Sequence, residues 1–401
     1  MLHNNKFVIS TAKTAQEVES LRHSWERMNP GPETSIDYYL TIVKSRRRVI
    51  RPHVILLSQD GLPVSMLIGR IERKQLKFKI GGKVIFQFAV RSLTVIIGGL
   101  LGDTSYESCN ILFSELLTSL KQNEADLISF DEIPTDSQIY KLARSIPNFL
   151  CVDYFPERSF HFKMTLPASM EDFFKNRKPK SRTKLRSLRK KLNKKHSNNV
   201  RSIIVHEKEQ IEKFCSDAEV ISRKTFQYAY GEGFINNDET RSFLFSAAER
   251  GLLRSYILYV NDNPCAFWAG FIYQDTYYGI PVGGTGYDPA FREYQVGTIL
   301  MLEMIEDLCR DPRVYYMDFG YTDMSYKRRF CDQNWEEANF YIFQPTLKGI
   351  CLNAIRVLSS LFYRFGNMIL RRLNSKDKWE KSKRASFQQK KDKQPSVMSR
   401  C

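Results

Sequence analysis

The chain has 401 residues, 42% of them hydrophobic and 13% aromatic, and carries a formal net charge of +17. This length suits two domains with separate cores, and this composition excludes a disordered or low-complexity chain. No uncharged apolar run of about 18 residues occurs, which excludes a spanning helix. Eight cysteines without a C-x-x-C pair, and a first apolar run that is short and follows Lys6, point to a reducing, cytoplasmic setting with no structural zinc or other metal.

The positive charge is local. Lys175 to Lys195 holds twelve Lys/Arg and no acid, and Arg371 to Cys401 holds eleven Lys/Arg against three acids, so these segments contribute +12 and +8 and leave the rest near −3. Two devices, rather than a general polyanion-binding fold, account for the basic character.

In chain order, Phe7 to Val43 reads as a helical start, with Val18, Leu21 and Trp25 on one face. Val54 to Leu57 and Val64 to Ile68 flank a turn at Asp60-Gly61 and predict a hairpin. Strands are predicted at Ile85 to Val90 and Ser92 to Gly98, then a helix at Asn110 to Lys121 and a strand at Asp126 to Phe130. Later, Tyr256 to Val260 and Ala266 to Tyr273 flank Asn261-Asp262-Asn263-Pro264 with the same punctuation. A strand over Tyr277 to Val282 leads through Gly283, Gly284 and Gly286 to a loop, Arg292 to Thr298, that opens a helix with apolar residues at helical spacing. The N–H groups at such a start lack intrahelical partners and lie at the positive end of the dipole, and Gly297 lets an anion approach the backbone.

Landmarks recur at a near-constant offset. Gly98-Gly99 and Asp103 match Gly283-Gly284 and Asp288; Asp131, Asp136 and Tyr140-Lys141 match Asp318, Asp323 and Tyr326-Lys327. The implied organisation is a duplicated α/β unit, residues 1–155 and 156–345, in which the first copy lacks counterparts of Arg292 and Gly297. A basic helix over 175–195 carries Leu185, Leu188 and Leu192 as a seam for packing, and its charges suit a phosphate-bearing ligand. Residues 346–373 form a basic amphipathic helix suited either to its own domain or to an anionic membrane surface. The basic tail 374–401 lacks core-forming residues and is expected to be disordered.

The run from Tyr287 to Leu300, with Met317-Asp318-Phe319-Gly320 and Tyr326-Lys327-Arg328-Arg329-Phe330 after it, resembles the GNAT-type acyltransferases, and among them the CelD-like branch associated with cellulose and exopolysaccharide synthesis. The resemblance implies an α/β (α+β mixed) fold of tandem duplicated GNAT-like units, each a mixed, mostly antiparallel sheet flanked by helices. Arg292 and Gly297 match the first and last fixed positions of the family's coenzyme A loop, and Gln295 stands where its middle glycine belongs. The resemblance further implies an acyl-CoA donor, acetyl-CoA or another, with its diphosphate on Arg292, Gln295, Val296, Gly297 and Thr298. Tyr326 is the expected proton donor to the thiolate, Asp318 or Asp323 the expected proton acceptor, and Glu232, Trp268 and Tyr287 candidate acceptor contacts.

None of the six histidines lies between Tyr277 and Phe330, which argues against a histidine base, and no serine or cysteine triad is suggested. The expected function is acyl transfer to a sugar, nucleotide sugar or glycan precursor in the cytoplasm, with attachment to the inner face of the membrane as an option. Two alternatives are open: a Fem-like transferase using aminoacyl-tRNA, and a non-catalytic membrane-associated accessory of polysaccharide assembly.

Overall fold

A computed structural model describes residues 7–80, 83–197, 199–229, 231–280 and 283–372. Its strands are β1 (Phe7–Ala12), β2 (Val49–Gln59), β3 (Leu62–Ile80), β4 (Lys83–Gly102), β5 (Leu127–Pro134), β6 (Glu157–Thr165), β7 (Val200–Val205), β8 (Ser255–Val260), β9 (Asn263–Trp268), β10 (Gly270–Tyr273), β11 (Thr276–Gly279), β12 (Thr285–Tyr287), β13 (Tyr316–Tyr321) and β14 (Gln333–Phe343). The helices are α1 (Ala15–Ser20), α2 (Arg22–Arg27), α3 (Ile36–Ser45), α4 (Tyr106–Lys121), α5 (Gln138–Ser145), α6 (Met170–Lys175), α7 (Pro179–Lys195), α8 (Ile211–Ser222), α9 (Phe226–Ala229), α10 (Asp238–Glu249), α11 (Val296–Leu308), α12 (Ser325–Phe330) and α13 (Leu347–Arg372). The basic tail expected to be disordered lies outside the described residues, as do Pro281 and Val282.

Two compact units share the chain: residues 1–30, 47–157 and 338–401 form one, and residues 31–46 and 158–337 the other. In the first unit the strand order is β1-β2-β3-β4-β5-β14, β14 belonging to it from Ala338 on. Phe7–Ala12, read as the beginning of a helix, is instead an edge strand paired antiparallel to Val54–Gln59 of β2. Val18 and Trp25 lie buried on two short helices after it. The two strands expected over 85–98 are one strand, β4, bonded along its length to β3, because a hairpin partner of equal length supplies the backbone bonds through Arg91. β4 and β5 pair in parallel around α4, whose Leu112, Phe113 and Leu116 fill the core with Phe130 and Phe340.

In the second unit a hairpin serves two sheets. β9 and β12 join β8 and β7 in a four-stranded sheet, while β10 and β11 join β13 and β6 in another. β8 is buried at all six positions because both faces are covered: Tyr256, Leu258 and Val260 pack with α7 and α11, and Ile257 and Tyr259 with α8 and α10. The leucine seam of α7 is buried in that first layer, Leu192 fully. The succession hairpin, strand, helix, parallel strand, helix thus occurs in both units, and the fold is a tandem of mixed α/β units.

The terminal helix α13 divides. Its first half docks on its own unit, where Leu352 packs on Leu76, Phe78 and Val90, and Arg356 donates to Asp153 at 2.9 Å. Farther along, Leu358, Phe362 and Phe365 are exposed. No helix among the described residues is long and apolar enough to cross a membrane.

Candidate active site

The parting of two parallel strands organises the second unit. β11 pairs with β13 only over Thr276↔Tyr316, Tyr277↔Met317 and Tyr278↔Asp318. Beyond Gly279 the chain crosses to β12 beside β9, while β13 stays beside β6. Past the fork the two strands no longer bond to each other, and on β13 the Asp318 carboxylate accepts from Gly320 N–H while Lys327 donates to the Gly320 and Tyr321 carbonyls. Trp268 on β9 stands edge-on to Phe319 with centroids 5.7 Å apart, and the ring of Tyr326 on α12 lies 6.1 Å from Phe319. Burial, and after it the neighbouring Cys331, pushes the Tyr326 hydroxyl well above the ordinary tyrosine value, so it stays protonated.

A short 3₁₀ helix, Pro289–Tyr294, then leads to α11. Asp288 accepts from Ala290 N–H at 3.0 Å and from Lys224 at 2.7 Å, which fixes the turn. Gln295 caps α11 in the left-handed region, φ 54° and ψ 45°, and contributes no side-chain cap bond. Val296 and Gly297 therefore begin the helix without a side chain over their N–H groups. Arg292 is exposed beside them and has no side-chain partner among the described residues, and Thr298 N–H is spent on Gln295 C=O at 2.8 Å. Tyr287 packs against this start, since a Cβ on Gly297 would lie 3.5 Å from its ring.

The equivalent helix in the first unit is closed. Ser105 caps α4 by accepting from Ser108 N–H, and Asp103 takes hydrogen bonds from Ser105 N–H, Ser105 Oγ and Ser108 Oγ. Protein oxygens fill the place where an anion would sit. The left-handed backbone at Gln295 is one that glycine adopts without strain, whereas a side chain in that region costs about 1–2 kcal/mol. Gln295→Gly is expected to raise stability by about 1 kcal/mol, measured by denaturant unfolding; an unchanged midpoint removes the strain argument.

The basic helix α7 ends beside this loop. His196, just past it, lies 5.5 Å from Tyr294 and 6.0 Å from Phe291 between ring centroids. Lys190, Lys191, Lys194 and Lys195 on the same end of α7 are exposed, which places positive potential next to the open helix start.

Around the last paired residue of β13 lies a cluster that the sequence did not reveal. Asp318 is bonded to His161 Nε2 on β6 at 2.8 Å and accepts from Gly320 N–H at 2.6 Å. The other nitrogen, His161 Nδ1, is 3.0 Å from Glu337, which also accepts from Trp335 Nε1 at 2.7 Å, and the Trp335 and His161 rings stack at 4.5 Å. Burial disfavours the charged ring, but the hydrogen bonds to Asp318 and Glu337 outweigh it and push His161 up to about 10, so it is an imidazolium held between two carboxylates. Glu33, from the turn before α3, joins them. Its carboxyl has no hydrogen-bond partner among the described residues, and burial, with the charge of Asp318, pushes it up to about 7 although His161 and Arg46 oppose the shift. Tyr278, facing from β11, is raised to about 12 by burial and by Asp318.

The expected residues therefore fall into separate places. Arg292, Gln295, Val296, Gly297, Thr298 and Tyr287 assemble at the α11 start. Trp268, Asp318 and Tyr326 border the fork. Asp323 is drawn off into a surface ion pair with Arg328, which holds its carboxyl below the usual range, a poor setting for a base. Glu232 is exposed on a turn whose next residue, Gly233, packs on Gly283 so closely that a Cβ on Gly283 would meet it at 2.3 Å. Lys327 is buried and donates to Gly320 C=O and Tyr321 C=O, which fastens the end of β13. The lack of a histidine between Tyr277 and Phe330 conceals His161, whose partner Asp318 lies 157 residues away.

Residues 179–328 match the family described as acetyltransferase (GNAT) domain. None of the curated proteins matches the chain. Among solved structures, a conserved protein of unknown function from Bacteroides thetaiotaomicron is 11% identical with a TM-score of 0.51, covering 84% of this chain and 100% of that one. A tandem GNAT protein from the clavulanic acid biosynthesis pathway is 10% identical with a TM-score of 0.49, covering 85% and 99%. A GCN5-related N-acetyltransferase from Kribbella flavida is 10% identical with a TM-score of 0.37, covering 84% and 71%. At such identities the likeness is one of fold. Over residues 179–328, which contain the fork, the open helix start and Tyr326, the chain matches the GNAT acetyltransferase domain, an acyltransferase family.

Proposed function

We propose that the second unit transfers an acyl group from an acyl-coenzyme A, acetyl-coenzyme A among them, to an amino group on a sugar, nucleotide sugar or glycan precursor. The observation that carries this reading is the uncapped start of α11 beside two parting strands, within the segment that matches acetyltransferase domains. Val296 and Gly297 N–H groups with Arg292 would hold the diphosphate, and the basic end of α7 adds attraction. The thioester would then run along the fork toward Asp318.

The cluster at that end favours a cationic acceptor. His161 carries one positive charge against the carboxylates of Asp318 and Glu337, and Glu33 adds a third when ionised, so an ammonium group is attracted there. The ammonium gives its proton to the Glu33 carboxylate. The freed amine attacks the thioester carbonyl, forming the C–N bond; the C–S bond breaks, Tyr326 protonates the departing thiolate, the proton lost from the new amide nitrogen restores Tyr326 through solvent, and Glu33 releases its proton to solvent, so one proton is released per turnover. Positioning of the two substrates supplies the rest of the rate. Asp318 acts through His161 by fixing the charged ring, and is a positioning residue.

The reading is tested by release of free coenzyme A from acetyl-coenzyme A on addition of an amino sugar against the matching neutral sugar. Release is expected with the amine, and equal release with both would remove the acceptor assignment. In the same assay Tyr326→Phe is expected to lower kcat about 100-fold with the donor KM nearly unchanged; undiminished turnover takes the proton transfer away from Tyr326.

A further inference from the structure

We infer that the β3–β4 hairpin of the first unit docks on the surface of an anionic phospholipid bilayer. β2 accompanies β3 only as far as Glu72, and β5 begins its pairing with β4 at Ser92. Between Arg73, whose N–H still donates to Arg48 C=O, and Arg91, whose C=O still accepts from Asp126 N–H, the hairpin is thus a two-stranded ribbon.

The faces of that ribbon differ. Leu76↔Phe88 and Phe78↔Phe86 are opposite pairs and so share a face with Val90, which is opposite Lys74. Near the base this face is covered, since Leu76, Phe78 and Val90 are buried together with Phe343 and Leu352 of α13. Farther out the cover stops. Phe86 is 58% exposed, Phe88 38%, Val84 46% and Ile85 47%. On the other face Arg73, Gln75, Lys77 and Gln87 are exposed, and neither Arg73 nor Lys77 has a side-chain partner among the described residues. Residues 73–91 hold six Lys/Arg and no acid.

Lys74 and Arg91 at the base pair with Asp131 and Asp126, but an exposed apolar strip beside the unpaired Arg73 and Lys77 is the chemistry of an interfacial segment, with apolar side chains among the acyl chains and cations among the phosphates. The charge selects this occupant. A second copy presenting the same ribbon would bring like charges together, and the phosphates of a nucleic acid offer nothing to Phe86 and Val84. α13, which packs on β3, exposes Leu358, Phe362 and Phe365 and so adds apolar surface in the same unit.

The test is co-sedimentation of the full chain with phosphatidylcholine vesicles made with and without phosphatidylglycerol. Binding is expected to the anionic vesicles and to be much weaker to phosphatidylcholine alone. Val84→Ser with Phe86→Ser should lower binding about tenfold or more, and Lys77→Glu should lower it about fivefold or more. Both sites are exposed, so thermal unfolding should match wild type and report that the fold is intact. The inference is overturned if wild type stays in the supernatant with anionic vesicles, or if the Val84/Phe86 variant binds as wild type does. It is likewise overturned if that variant instead abolishes self-association or RNA binding that the vesicles do not affect.

Discussion

Glu33→Gln is expected to lower kcat for an amine acceptor by about 10²- to 10⁴-fold, the range for loss of a general base, while leaving donor binding intact. The carboxyl is held near pH 7 by burial and by the charge of Asp318. The wild-type rate should therefore rise with pH through about 7 as the base ionises, and in Glu33→Gln that limb should vanish. Of the groups that face Glu33, His161 on β6 and Tyr278 on β11 do not supply the same limb, while Asp318 on β13 and Glu337 on β14 are bonded to His161. His161 is pushed up to about 10 and Tyr278 to about 12.

Stability should move the other way. A carboxyl raised from 4.5 to about 7 in the folded state costs stability that accumulates between those pH values and is complete above them. Glutamine removes the cost, so the variant should be more stable by about 1–2 kcal/mol at pH 8 and nearly equal to wild type below pH 4.5. An inactive but stabilised protein is the signature of a functional carboxylate. Lost stability together with lost activity would assign Glu33 a structural role.

Gly297→Glu is expected to weaken donor binding by about 10²- to 10⁴-fold, the equivalent of two charge-assisted hydrogen bonds, because the carboxylate occupies the place of the phosphate at the helix start. Gly297→Ala separates ligand from fold. The added Cβ would meet the Tyr287 ring at 3.5 Å, an ordinary contact, and alanine in a helix is more stable than glycine by about 0.5–1 kcal/mol. This variant should unfold later than wild type and still bind the donor less tightly, as measured by calorimetric titration. Unweakened binding by Gly297→Glu would show that the donor does not use this loop.

The parts of this site differ in how far sequence reveals them. The helix at Val296 and the hairpin at Asn261 are local, and glycines, turn residues and periodicity mark them. The recurring landmarks point to the segment that keeps Arg292 and Gly297, and the two helix starts differ in structure: Ser105 and Asp103 close one, and Gln295 leaves the other open. The His161 cluster is legible nowhere in local pattern. It gathers Glu33, His161, Asp318 and Glu337 from four segments, and a search confined to Tyr277 to Phe330 could find only Asp318. Glu33 is harder still, because residues 31–46 fold with the second unit although they lie within the sequence of the first. Asp323 looked equivalent to Asp318 in spacing, yet Arg328, five residues on, claims it. Helix α13 shows another limit, since amphipathicity marks an apolar face without saying which of its residues will be covered.

The central claim, that α11 and Arg292 hold an acyl-coenzyme A, is tested most directly by thermal unfolding with increasing acetyl-coenzyme A. A ligand that binds only the native state at about 100 times its Kd adds about 2.7 kcal/mol of apparent stability. The melting temperature should rise by several degrees in wild type and in Glu33→Gln, and stay fixed in Gly297→Glu. No rise in wild type at saturating donor concentrations, or an equal rise in Gly297→Glu, would contradict it.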